Sequence, residues 1–242
     1  KMKKAKQVPR TPRQAGRPSP SLTISIDSMF EYEAITDNQE KAFSAWDEGD
    51  HLVLVGSAGT GKTFIAMFMA LEALLEENSD FDKVVIIRSV VPTRDQGFLP
   101  GTQKEKEDAF TIPYRTISAE IFGDPAAYNK LVTNKQIYFE STSFIRGATF
   151  NNAIIVVDEM QNLNFHELDS VITRAGQNCK IIFAGDYKQS DFKREEEREG
   201  IIKFLHIIEH LNNFTVIQFG WEDIVRSGLV RDYIMTKEML GY

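Results

Sequence analysis

Leu52-Val53-Leu54-Val55-Gly56-Ser57-Ala58-Gly59-Thr60-Gly61-Lys62-Thr63 is an apolar run that passes directly into an unbroken G-x-x-x-x-G-K-T. The first four residues read as a buried strand, and the apolar pattern after them as a helix over 62–77. Strand, glycine-rich turn and helix in that order build a phosphate cradle. The glycines let backbone N–H groups converge on the α- and β-phosphates, and the helix N-terminus adds partial positive charge. Lys62 is predicted to neutralise β- and γ-phosphate oxygens, and Thr63 to offer its hydroxyl to Mg²⁺. The expected ligands are therefore ATP and Mg²⁺. The predicted binding set is Gly56, Ser57, Ala58, Gly59, Thr60, Gly61, Lys62 and Thr63, with Phe64 next on the helix.

Outward from this stretch, short runs rich in Val and Ile recur at 84–88, 137–140, 154–157, 181–184 and 215–219. Runs apolar on both faces suit a buried parallel sheet. Helical patterns lie between several of them, at 166–175 behind an Asn164 cap with Glu167 three residues on, and at 197–211. Thr36 followed by Gln39 opens another, to about residue 47. This alternation predicts an α/β fold, a doubly wound, mostly parallel sheet with helices on both faces.

The run Ile154-Ile155-Val156-Val157 ends in Asp158-Glu159. A strand delivers such residues to the crevice where open α/β sheets bind ligands. Asp158 is expected to hold Mg²⁺, directly or through water, and Glu159 to polarise the water that attacks the γ-phosphate. The run 181–184 leads into Gly185-Asp186, with Gln189 close behind. If that strand lies between the strands of Gly56 and Asp158, Gln189 can reach the γ-phosphate. Gln39 carries an amide able to read an adenine edge, although its position also suits a plain helix cap. Hydrolysis calls for a guanidinium on the developing charge. Arg88, Arg146, Arg226 and Arg231 are the candidates, with Arg226 favoured because it precedes a final helix and can point at a neighbouring subunit.

The formal net charge of −7 conceals an asymmetry. Lys1, Lys3, Lys4, Lys6, Arg10, Arg13 and Arg17 precede the first acid, Asp27, and Pro9, Pro12, Pro18 and Pro20 disfavour regular structure among them. The chain divides into a basic, Pro-rich arm over 1–22 and one domain over 23–242. The arm is either a grip for nucleic acid phosphates or a solvated terminus. No run reaches the roughly 20 apolar residues of a membrane span, and no secretory signal is legible. The one cysteine, Cys179, reads as a structural thiol, and the expected setting is cytoplasmic.

Further motifs join these. They are Asp37-Asn38-Gln39, Gly97-Phe98-Leu99-Pro100-Gly101, Ile112-Pro113-Tyr114 and Phe144-Ile145-Arg146-Gly147-Ala148-Thr149-Phe150, with Asp158-Glu159-Met160-Gln161-Asn162, Gly185-Asp186-Tyr187-Lys188-Gln189 and Asp223-Ile224-Val225-Arg226 after them. In this order the set resembles the PhoH-like phosphate-starvation-inducible ATPases, which look like the first motor lobe of superfamily 1 helicases. The resemblance implies a RecA-like fold, Gln39 as adenine reader, Gln189 as γ-phosphate sensor and Arg226 as arginine finger. It further implies ATP hydrolysis linked to single-stranded RNA or DNA, helicase-like in kind, and assembly into a homo-oligomeric ring, a hexamer being expected. A superfamily 1 helicase takes its finger from a second lobe, so a neighbouring subunit is expected to supply it here. Nucleic acid is expected near residues 92–101 and Tyr114; Phe98 and Tyr114 are candidate stacking groups there, though packing is the more ordinary role for each. Two positions depart from the family pattern: Ser89 stands where proline is common, and Ser227 where histidine is usual. RNA cleavage is not implied.

Two other functions fit parts of this reading. A P-loop kinase shares the cradle but has no need of Glu159 or Gln189. A nucleotide-gated binding module needs only the cradle and the basic arm.

Overall fold

The computed structural model describes residues 8–9, 24–90, 103–142, 145, 147, 149–186 and 195–241. Two short strands, β1 (Val8–Pro9) and β2 (Phe30–Glu31), pair antiparallel at one side. The prolines of the arm predict no regular structure there, and β1 departs from that expectation. Pro9 is tolerated because a two-residue edge strand needs no donor from it.

The main sheet has six strands: β3 (His51–Gly56), β4 (Lys83–Arg88), β5 (Ile137–Ser141), β6 (Ala153–Val157), β7 (Cys179–Gly185) and β8 (Phe214–Phe219). They lie in the order β5-β4-β6-β7-β3-β8, and every neighbouring pair is parallel. All six apolar runs of the sequence are strands, and the doubly wound prediction holds. Side chains alternate across the sheet, so Leu52, Leu54, Val84, Ile86, Ile154, Val156 and Ile182 enter one core. Val53, Val55, Val85, Ile87, Ile155, Val157 and Phe183 enter the other. Burying each such side chain is worth about 1.5–3 kcal/mol, which favours the two-sided arrangement over an exposed sheet.

Helices α1 (Asp37–Asp47), α2 (Lys62–Leu75), α3 (Gln103–Phe122) and α4 (Ala127–Thr133) pack on the first face. Helices α5 (Phe165–Arg174) and α6 (Glu195–Ile208) pack on the second. Asn164 caps α5 with both bonds of a capping box, its Oδ1 accepting from Glu167 N–H and its own N–H donating to the Glu167 carboxylate. The box expected at α1 is only half formed. Thr36 accepts from Gln39 N–H, but the Gln39 side chain turns inward and accepts from Ile35 N–H at 2.9 Å. The last helix, α7 (Gly228–Met239), buries none of its own residues. Among the described residues no helix is long and apolar enough to cross a membrane.

Candidate nucleotide site

The phosphate loop leaves β3 at Gly56, whose N-terminal neighbours are locked between β7 and β8. Gly56 has φ +128°, and a Cβ there would lie 2.0 Å from the Phe219 carbonyl oxygen on β8. Only glycine lets the chain turn this close to the neighbouring strand. The turn ends at Gly61, which caps α2 from the left-handed region.

Lys62 is nine-tenths buried and folded back on its own loop. Its Nζ donates to the carbonyls of Gly56 and Ser57, both at 2.7 Å, and to Thr60 Oγ1 at 3.2 Å. Burial pushes its pKa down, against the opposing pull of Asp186, Glu159, Asp158 and Glu238. The ammonium is thus held by backbone carbonyls and a hydroxyl, with the charges of four carboxylates acting on it.

Asp158 follows the last residue of β6 and is 3% exposed. Thr63 Oγ1 donates to its Oδ1 at 2.8 Å, which joins the loop to the acidic pair. Its Oδ2 accepts from the Tyr114 hydroxyl at 2.8 Å and faces Arg88 at 3.9 Å. Hydroxyl and carboxylate oxygens side by side are the hard donors Mg²⁺ prefers. No group of three or more His, Cys, Asp or Glu placed to hold a metal ion gathers among the described residues.

Glu159 stands in the left-handed region, φ +52°, and burial followed by the Asp158 charge raises its pKa. Gln161 Nε2 donates to Glu159 Oε2, while Gln161 Oε1 accepts from Asp186 N–H at 3.0 Å. A Cβ on Gly185 would meet Gln161 Oε1 at 2.4 Å, so this bridge needs glycine at the end of β7. β7 lies between β3 and β6, the order on which a sensor role for Gln189 depends. Gln189 itself, Arg146, Phe98 and the rest of residues 91–102 lie outside the described residues.

Gln39 is fully buried. Its Oε1 is taken by Ile35 N–H and the Tyr32 hydroxyl, and its Nε2 has no partner among the described residues. A buried amide donor without an acceptor is uncommon in a closed core. The Tyr32 ring lies 5.0 Å from Phe64 on the first turn of α2, which ties Gln39 to the loop. Arg226 is exposed, and Val225 N–H donates to the Gly59 carbonyl at 3.2 Å, which brings the Arg226 stem against its own chain's loop.

Tyr114 is fully buried, as its reading as a packing residue expects, and it is not free to stack on a base. Sequence reasoning misses Gln161 and Glu238. Gln161 stands two residues after Glu159, a spacing that could flag it. Glu238 Oε2 accepts from Ser57 Oγ at 3.0 Å and from Trp221 Nε1 at 2.6 Å, with no local signal to announce it.

A parallel sheet with a phosphate loop at the end of β3, an acidic pair at the end of β6 and one strand between them is a RecA-like P-loop nucleotide-binding domain. Residues 31–237 match the family described as PhoH-like protein, and the chain belongs to that family. The PhoH-like protein of Mycobacterium leprae is 31% identical over 224 residues, covering 90% of this chain and 63% of that protein. The PhoH-like protein of Synechocystis is 32% identical over 206 residues, covering 85% and 62%. The chain thus spans under two thirds of the length of these curated relatives. Among solved structures, the large terminase of a thermophilic bacteriophage in complex with ADP aligns with a TM-score of 0.49 at 14% identity. That alignment covers 85% of this chain and 50% of the terminase.

Proposed function

We propose that the chain is a Mg²⁺-dependent ATPase whose turnover is coupled to single-stranded RNA or DNA, working as a ring, with a hexamer expected. The observation that carries this reading is the 2.8 Å bond from Thr63 Oγ1 to Asp158 Oδ1, with Glu159 next along the chain. It joins the loop that would hold a triphosphate to the carboxylate that would hold Mg²⁺, one residue before Glu159, the base for the attacking water.

The loop N–H groups and the α2 N-terminus hold the phosphates, and Lys62 leaves its carbonyls for the β/γ oxygens. Thr63 and Asp158 would hold Mg²⁺, which when bound would neutralise charge developing on the phosphates. Glu159, less acidic than an exposed glutamate, takes the proton of the attacking water. Gln189 reports the γ-phosphate, Arg226 contributes the guanidinium, and Gln39 offers its free amide to the base. Support for nucleic acid comes from the seven cations that precede Asp27. Support for assembly comes from α7, where Leu229, Tyr233 and Met239 are 82%, 69% and 70% exposed.

Phosphate release from ATP and Mg²⁺, with and without single-stranded RNA or DNA, tests the reading against Glu159→Gln. Turnover should rise with nucleic acid and fall about 10²–10⁴-fold in the variant. Release without any added acceptor excludes a kinase.

A second reading, a nucleotide-gated binding module with little turnover, draws on the way the loop satisfies itself. Lys62 occupies the loop carbonyls and Glu238 holds Ser57. Nucleotide binding without phosphate release, together with a salt-dependent RNA affinity that disappears on deleting residues 1–22, favours this module.

A further inference from the structure

Three elements converge on one carboxylate. Asp158 Oδ1 takes the Thr63 hydroxyl from α2, and Oδ2 takes the Tyr114 hydroxyl from α3. Arg88, at the end of β4, approaches the same Oδ2 at 3.9 Å. A buried phenol always needs an acceptor, and many such bonds only satisfy the phenol. This one differs in its acceptor, the single Asp158 oxygen that Thr63 leaves open. The placement is also enforced from behind. Tyr114 is fully buried with Ser118 and Ile121 on the inward face of α3, and its ring lies 5.9 Å from Phe139 on β5. With little freedom of its own, the phenol fixes the plane of the carboxylate.

We propose that Tyr114 is a positioning residue for Mg²⁺: its hydroxyl engages Asp158 Oδ2 and keeps Oδ1 turned toward Thr63, so that hydroxyl and carboxylate face the cation together. The inference rests on the nucleotide-site reading above, but on its metal and not on hydrolysis. Tyr114 acts through Asp158 and touches neither phosphate nor water. Groups that orient metal ligands from behind typically change metal affinity by 10–100-fold when removed.

The test is a Mg²⁺ titration of fluorescent ADP binding, with wild type beside Tyr114→Phe, which keeps the ring and deletes the hydroxyl. The Mg²⁺ concentration at half-effect should rise on the order of 10-fold in the variant. Binding in EDTA should be unchanged, and saturating Mg²⁺ should restore wild-type affinity. That restoration separates loss of positioning from loss of fold, since a damaged pocket is not rescued by metal. Equal midpoints in the two proteins overturn the proposal, as does wild-type binding that ignores Mg²⁺. Phosphate release by the wild type, measured in the same samples, judges hydrolysis separately: its absence beside a shifted midpoint overturns the ATPase and leaves Tyr114 in place.

Discussion

At Gly56 the phosphate loop and the sheet compete for the same space, and the absence of a side chain resolves the competition. Gly56→Ala puts a methyl group against the Phe219 carbonyl in a region of φ that alanine avoids. The expected cost is about 3 kcal/mol, read as a lower urea midpoint with nucleotide affinity lost in parallel. Glu159 makes a prediction about pH. Burial and the neighbouring Asp158 raise its pKa, and a general base works only when ionised. Phosphate release should therefore fall, as pH is lowered, at values above the ordinary glutamate range. The residual turnover of Glu159→Gln should lack that acid limb. The loop and the acidic pair are legible in the sequence because each is contiguous and its chemistry depends on spacing. The bridge from Gln161 to Asp186, the phenol on Asp158 and Glu238 on Ser57 are not, because each joins residues that only the folded sheet brings together.

The strands announce themselves as apolar runs, since burial on both faces leaves little room for polar residues. Helix α3 does not. Its sequence opens Gln103-Lys104-Glu105-Lys106-Glu107-Asp108, a run without an apolar stripe, and Pro113 stands inside it, where a proline normally ends a helix. Tyr114 reads as a packing residue, but its place on a buried helical face is hidden for the same reason. The seam between β3 and β7 offers a test of its own. At its start Ile181 N–H donates to His51 Nδ1, so the imidazole must stay neutral to accept it. Burial lowers the His51 pKa, with the Lys180 charge adding to the effect. The unfolded chain then binds a proton more readily than the folded one. The contribution is intact above about pH 6.5 and is lost as pH falls through and below that value. Between about pH 7.5 and 5.5, a window that brackets the ordinary imidazole value, the thermal midpoint of wild type should drop further than that of His51→Asn, which keeps an acceptor and cannot titrate. Equal drops would remove His51 from the account.

For the whole molecule, α7 is the element whose environment is least complete. Its contacts run to the phosphate loop, through Glu238 on Ser57 and Ile234 beside Gly59, while Leu229, Tyr233 and Met239 face outward. If a second copy covers that face, specific ATPase activity should climb with protein concentration, and Leu229→Asp with Tyr233→Ala should flatten the climb while nucleotide binding persists. Sedimentation of the same samples should show one large species giving way to a small one; a single species with concentration-independent activity would remove the ring. The Glu238 contact has an optical consequence as well. The chain holds two tryptophans: Trp46 lies on α1 beneath the Lys180 ammonium, and Trp221 donates its indole N–H to the same Glu238 oxygen that holds Ser57. Replacing Trp46 by Phe leaves one emitter, wired through a single carboxylate to the mouth of the loop. Its wavelength and lifetime would then register nucleotide arrival in real time, in a protein that needs no attached dye.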